Sequence, residues 1–253
     1  ASSSSGCRSE KAGSAMKLTD FTTLSFDCYG TLIDWETGLL GILRPWAARH
    51  GLAQDAEALL SAYGRHEHAI EDANPTMLYA DILRAVMRAI ATEHGLRASD
   101  AEAEALAVSI GDWPPFADTP AALAYLKQHY KLAVLSNVDR ASFARTQTKL
   151  GVALDAVVTA EEVGSYKPDP RNFRALLERL DTLGVAPGQV LHTAQSLYHD
   201  IAPARQLGLA TNWINRRHDK PGVGASPASE AEPHFTFNSL ADFADAHRAE
   251  RAG

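Results

Sequence analysis

Short runs of aliphatic and β-branched residues alternate with longer stretches of helical spacing from Met16 onward. The runs are Thr22–Cys28 (TTLSFDC), Lys131–Ser136, Ala156–Thr159, Val190–Ala194 and Ala210–Ile214, with a last one at His234–Phe237. Each has the length and composition of a buried strand bounded by turn residues. Between them, Pro120–His129, Arg140–Leu150, Arg171–Leu183 and Tyr198–Leu207 carry helical patterns, and a helix over Leu240–Arg251 closes the chain. Strands alternating with helices of this length predict βαβ units, hence an α/β fold with a Rossmann-like parallel sheet.

One interval breaks the rhythm. A crossover between parallel strands needs a dozen or so residues, yet about a hundred separate Cys28 from Lys131. Most of that stretch, Gly38–Ile110, is rich in Ala, Leu, Glu and Arg, with helical spacing as in Leu78, Ile82, Leu83, Val86 and Ile90. It predicts an α-helical cap domain inserted after the first strand. Trp113–Pro114–Pro115 marks the return to the core, because each proline restricts its predecessor and breaks a helix. The expected organisation is core over 16–35, cap over 36–113 and core again over 114–253. Residues 1–15 (ASSSSGCRSEKAGSA) read as a disordered arm or an expression remnant, with Met16 as the natural start and no secretory h-region. The Pro/Gly/Ser-rich segment 219–233 reads as a mobile loop.

Composition narrows the function without naming it. The chain has 253 residues, 45% of them hydrophobic, enough for a sizeable core, and no run approaches the ~18 apolar residues of a membrane span. A formal charge of −7 shows no polyanion footprint and argues against a nucleic-acid partner. A small anionic substrate stays compatible, since a local positive site can sit in an acidic surface. Two cysteines, Cys7 and Cys28, exclude a disulfide framework. The expected setting is cytoplasmic, with a homodimer possible.

Ligands of a doubly wound sheet bind outside the carboxyl ends of its strands. Those ends hold Asp27, then Ser136–Asn137, then Tyr166–Lys167–Pro168, then Gln195–Ser196 through Asp200. A carboxylate, a hydroxyl and amide pair, a lysine and a second carboxylate thus converge on one edge. Here the chain resembles the haloacid dehalogenase superfamily. FDCYGTLID (Phe26–Asp34), LSNVD (Leu135–Asp139), YKPDP (Tyr166–Pro170) and AQSLYHD (Ala194–Asp200) are similar to its four motifs in order. The resemblance implies a core with a mobile cap and Asp27 as nucleophile.

Three departures favour the (S)-2-haloacid dehalogenase branch over the phosphatases. Tyr29 stands where a phosphatase carries its general acid, and a departing halide needs no proton whereas an alkoxide generally does. Gln195 stands where a magnesium-ligating acid is usual, and an amide is a poor replacement for a carboxylate. The segment Thr211–Arg217 also resembles that branch. The expectation is hydrolytic dehalogenation of short 2-haloacids of the S form, without metal or cofactor. Asp27 attacks C2 to form an ester, and water then attacks the aspartyl carbonyl. By resemblance, Lys167 keeps Asp27 ionised, and Thr31 hydrogen-bonds its carboxylate. Ser136 binds the substrate carboxylate, Asn137 faces the halide, and Asp200 orients the water. Tyr29 and Ser196 line the substrate site.

The leaving-group pocket departs further. The branch implies a cap arginine near Ser61, where none stands; Arg65, one turn on, is the expected substitute. Phe173 replaces a tyrosine, and Leu197 an asparagine. A related hydrolase that displaces another group, such as a strained ring amine of a cyclic amino acid, therefore stays open. So do a magnesium phosphatase and a non-catalytic binding protein. His66, Glu67 and His68 read as a solvated helix face, His192 as a core histidine, and Arg216–Arg217 as a strand end on the surface. His199 stays open as a site residue. Trp35 and Trp46 are candidates for packing or for the pocket wall.

Overall fold

The computed structural model describes residues 16–53, 55–220, 225–226 and 229–253. The expected N-terminal arm, with Cys7, and the loop positions 221–224 and 227–228 lie outside the described residues. Six parallel strands form one sheet: β1 (Thr23–Phe26), β2 (Lys131–Ser136), β3 (Ala156–Thr159), β4 (Val190–Ala194), β5 (Ala210–Ile214) and β6 (Phe235–Phe237). Their order is β3-β2-β1-β4-β5-β6, so the chain winds outward from β1 in one direction and then in the other. β1, β2 and β4 are buried along nearly their whole length, as the near-continuous apolar runs require of strands covered on both faces.

Five α-helices lie between β1 and β2 among the described residues, and the first four make up the insertion: α1 (Trp35–Arg49), α2 (Ala56–Ala73), α3 (Tyr79–Glu93) and α4 (Asp100–Ser109). Their starts follow from local chemistry. Asp34 accepts the Thr37 N–H, Asp55 accepts the Ala58 N–H, and Ser99 and Glu102 form a reciprocal capping box. The apolar stripe of α3, including Ile82, Leu83, Val86 and Ile90, is fully buried against its neighbours. The remaining helices, α5 (Thr119–Leu126), α6 (Arg140–Leu150), α7 (Ala160–Val163), α8 (Pro170–Asp181), α9 (Ala202–Gln206) and α10 (Leu240–Ala252), connect or follow the strands. α9 begins later than the pattern over Tyr198–Leu207 predicts. Residues Leu197–Ile201 form one wide turn, in which the Ile201 N–H reaches back five residues to the Ser196 carbonyl.

Side chains tie the inserted helices to the sheet. Arg217, read from sequence as a surface residue, reaches Glu36 of α1 at 2.5 Å and Glu57 of α2 at 2.8 Å. Arg216 is likewise not on the surface: its guanidinium is mostly buried, pairing with Asp118 and donating to the Thr31 carbonyl at 3.0 and 3.1 Å. Trp46 is buried within the inserted helices, whereas Trp113 packs edge-on against Tyr29 beside the sheet edge.

Two glycines of α1 separate packing from helix propensity. A Cβ on Gly38 would come within 2.2 Å of the Trp113 ring, while nothing lies within 4 Å of one on Gly41. Gly41→Ala is expected to stabilise the protein by about 0.5–1 kcal/mol. Gly38→Ala is expected to destabilise it by about 1–3 kcal/mol through overpacking. Equilibrium denaturation of the two variants checks this, and equal effects would contradict the contact.

Candidate active site

The chain leaves β1 at Asp27 and turns sharply through Gly30, whose φ of +93° is the left-handed region that favours glycine. The turn brings Thr31 back under Asp27. The Thr31 hydroxyl donates to Asp27 Oδ2 at 2.7 Å and accepts the Gln195 N–H at 2.9 Å. Lys167, on the segment between α7 and α8, reaches the other oxygen. Its Nζ donates to Asp27 Oδ1 at 2.9 Å, Asp200 Oδ1 at 2.7 Å and the Leu135 carbonyl at 3.1 Å. The ammonium is 3% exposed as a residue and has all three protons used.

Burial works against charge here, and the lysine offsets it. Desolvation pushes the Asp27 carboxyl above its ordinary value, with Lys167 opposing and Asp200 reinforcing the rise. Burial also acts upward on Asp200, but Lys167 and His192 outweigh it and hold that carboxyl below the usual range. Lys167 is desolvated too, and its two carboxylates keep it firmly protonated. Among the described residues no group of three His, Cys, Asp or Glu side chains is arranged to hold a metal ion. The Gln195 amide oxygen, at the position of a usual metal ligand, accepts instead from the Ser226 hydroxyl at 3.2 Å.

One cavity opens onto Asp27, Tyr29, Ser136, Asn137, Lys167, Ser196 and Asp200 together, so most residues singled out in the sequence meet there. Three buried atoms at it have no hydrogen-bond partner among the described residues: Ser136 Oγ, His199 Nε2 and Asp200 Oδ2. Burial lowers the His199 imidazole to about 4, so it is neutral at pH 7. Asn137 is occupied differently from expectation. Its amide clamps the Lys167 backbone, donating to the carbonyl at 3.1 Å and accepting the N–H at 2.7 Å. The Tyr29 hydroxyl also turns aside, to Thr146 at 2.8 Å.

Arg65 is not part of the site. Its side chain is 59% exposed and pairs with Glu93 on the outside of α2. The cap wall of the cavity is instead acidic: Glu67 and Glu71, 7% and 5% exposed, with Tyr79 beside them. Glu67 is therefore not on a solvated face. Tyr63 and Tyr79 both donate to its Oε1. The signal was present in the pattern, since Leu59, Leu60, Tyr63, Glu67 and Glu71 share the buried stripe of α2. A carboxylate on an apolar stripe is the informative exception. His192 was also missed as a partner of the site. It lies beside Ser25 in the β1–β4 register, bonds that hydroxyl at 2.9 Å, and holds Asp200 Oδ1 at 3.0 Å.

Comparison with known proteins agrees with this fold. A model of haloacid dehalogenase-like hydrolases matches residues 21–208. An (S)-2-haloacid dehalogenase of Pseudomonas putida is 25% identical over 234 residues, covering 87% of this chain and 93% of that protein. One of Burkholderia cepacia is 27% identical over 210 residues, covering 80% and 86%. The crystal structure of an L-2-haloacid dehalogenase superposes with a TM-score of 0.73 at 26% identity, covering 92% of this chain and all of the other. A defluorinating L-2-haloacid dehalogenase reaches 0.75 at 23% identity, covering 92% and 98%. With a parallel sheet in this strand order, helices inserted after its first strand and the family model spanning most of the sequence, the chain belongs to the haloacid dehalogenase-like hydrolases.

Proposed function

We propose that the chain hydrolyses short 2-substituted carboxylates by displacement at C2, with (S)-2-haloacids, on which the curated relatives act by name, as substrates. The observation that carries this is the state of Asp27. One oxygen is held by the Thr31 hydroxyl and the other by Lys167, and no acidic side chain stands two residues on, where Tyr29 bonds Thr146. The supporting domain reading is a core of 16–35 and 114–253 beneath a cap of 36–113.

The steps follow from the residues. The Asp27 carboxylate attacks C2 in line, the C2–halogen bond breaks with its electron pair leaving as halide, and an ester forms. Ser136 Oγ, with the charge of Lys167 behind it, receives the substrate carboxylate, and Asn137 keeps Lys167 in place. Water then adds to the aspartyl carbonyl carbon, oriented by Asp200 Oδ2 and the neutral His199 Nε2. The acyl C–O bond breaks, the 2-hydroxy acid leaves, and Asp27 is restored. Glu67, Glu71 and Tyr79 of the cap line the side of the cavity facing Asp27, so positioning and water exclusion supply much of the rate. An amide at Gln195 in place of an acid, with Lys167 bonded to both Asp27 and Asp200, supports this reading over the phosphatase alternative.

Halide release from (S)-2-chloropropionate is expected with excess chelator, and none from Asp27→Ala. In a single turnover in heavy-oxygen water, the label should enter Asp27 rather than the product, as read by peptide mass. Label in the hydroxy acid alone, or phosphate-ester hydrolysis that requires magnesium, would remove this reading. Attack needs ionised Asp27, whose carboxyl lies above the ordinary 3.8. The acid limb of kcat/KM is therefore expected above that pH, with activity falling as pH drops through it. His199→Phe is expected to retain a stoichiometric burst of halide while slowing the following turnover by about 100-fold or more. Loss of the burst itself would place His199 in the first step.

A further inference from the structure

Displacement on Asp27 places the leaving group on the far side of C2, toward the cap. Among the described residues that line the cavity, that side carries carboxylates and no lysine or arginine. Glu67 and Glu71 stand four residues apart on the buried stripe of α2 and both line the cavity. Both Glu67 phenol contacts fall on Oε1, and its Oε2 makes no hydrogen bond among the described residues. The carboxylate of Glu71, more than nine-tenths buried, makes no hydrogen bond or ion pair among them, and the Lys167 charge reaches it only from a distance. Of the described residues around the cavity, four are carboxylates, Asp27, Asp200, Glu67 and Glu71, and the one lysine or arginine is Lys167. Its protons are spent on the first two and on a carbonyl.

A buried carboxylate without a partner is costly unless a ligand supplies one. Burial raises the Glu67 carboxyl to about 7 against two phenol donors that favour its ionised form, so a cation placed beside it would favour that form further. A halide is an anion as it departs, and two carboxyl groups opposite it, when ionised, oppose its formation. A departing nitrogen that carries its protons is matched by the same pair. We infer that Glu67 and Glu71 form a cation-receiving leaving-group site, and that the substrate class is the small strained cyclic 2-amino acids, in which a protonated ring nitrogen and a carboxylate share C2. The inference rests on the displacement reading above. Strain matters because an amine is far more basic than a halide and leaves an unactivated carbon only when another source of driving force is present. Opening a three- or four-membered ring supplies it.

The step balances without a co-reactant. An Asp27 oxygen bonds to C2, the C2–N bond breaks, and its electron pair stays on the nitrogen, which already holds its protons and becomes a tethered primary amine. Water cleaves the acyl C–O bond of the ester. One of its protons ends on the product hydroxyl and the other on the amine, which Glu67 and Glu71 hold as an ammonium. The net reaction adds one water and yields an amino-2-hydroxy acid.

The test compares (S)-azetidine-2-carboxylate with (S)-2-chloropropionate on the wild-type chain, following amino-hydroxy acid by mass and halide by conductivity. A kcat/KM for the ring substrate at least tenfold above that for the haloacid is expected. Glu67→Gln and Glu71→Gln keep the side-chain volume and remove the charge. Each should shift the selectivity between the two substrates by about 100-fold toward the haloacid, the size expected when a buried ion pair is lost. Halide release and Asp27 labelling without any ring opening would overturn the inference and leave the displacement reading standing. So would Gln variants that lower both substrates equally. Failure of both substrates to label Asp27 would overturn the displacement reading, and the inference with it.

Discussion

The site is organised by one buried ammonium. Lys167 Nζ lies within 3.1 Å of Asp27, Asp200 and the Leu135 carbonyl, so a single charge binds the ends of β1 and β2, the turn after β4 and its own segment. Neither carboxylate could remain ionised at this depth alone, since an isolated buried charge neutralises by shifting its pKa. The lysine in turn stays charged because two carboxylates face it. The arrangement is mutual, and removing any member leaves an uncompensated charge worth roughly 3–5 kcal/mol. Its geometry depends on strand order. With β1 between β2 and β4, the residues after three adjacent strands converge at the point where the winding reverses.

Around this triad, less conspicuous contacts fix the degrees of freedom that remain. Asn137 holds the backbone of Lys167 from both sides, Thr31 is held by the Gln195 N–H and by the Arg216 guanidinium on its carbonyl, and His192 fixes Asp200 from within the sheet. None of these needs to touch a substrate to matter. Each removes a rotation that a reacting carboxylate would otherwise have to lose during the reaction. The cap is joined to the same frame through Arg217 with Glu36 and Glu57, and through Tyr29 against Trp113. The acidic wall of α2 is thereby held over Asp27 at the cost of further negative charge nearby. Burial raises Glu67 to about 7, so near pH 7 part of its charge is relieved by protonation, and burial pushes Glu71 up as well.

The strands were legible because their apolar runs are short and bounded. All six observed spans match the pattern to within a residue or two, and Lys131–Ser136, Ala156–Thr159, Val190–Ala194 and Ala210–Ile214 match it outright. The inserted helices were legible from the length of one interval. Asp27, Lys167 and Asp200 were legible because they sit at strand ends, where topology alone brings distant residues together. The face of α2 was not. Arg65 was placed by counting one turn from Ser61, which keeps it on the face of Ser61 and not on that of the apolar stripe. At about 100° per residue, Arg65 stands some 200° from Tyr63, whereas Glu67 and Glu71 return to within about 80° of it. The stripe, rather than the count, held the phase. His192 was hidden for a different reason: its contact with Ser25 depends on which strands are neighbours and in what register, and neither is a local property of the chain.

That error of phase bears on how the fold is put to use. In the proposed reaction the core triad constrains the first step to a carboxylate attacking from the sheet side, with residues that stand in the four motifs. The opposite wall is built on a single amphipathic helix, where moving a charge by two positions changes the face it occupies. Exchanging a cation for a carboxylate there inverts the sign of the field that a departing group meets, without disturbing a strand, a cap or the lysine. Core and cap thus answer to different physical demands. For displacement on Asp27 as proposed, the core must keep that carboxylate ionised and fixed whatever is displaced, while the cap must match the charge that appears on the group being displaced. A chain that retains the first set of residues and changes the second is expected to keep the bond-making step and to alter the leaving group. Tyr29 and Gln195 belong with the first set, since both leave Asp27 with the lysine as its counter-charge. Glu67 and Glu71 belong with the second.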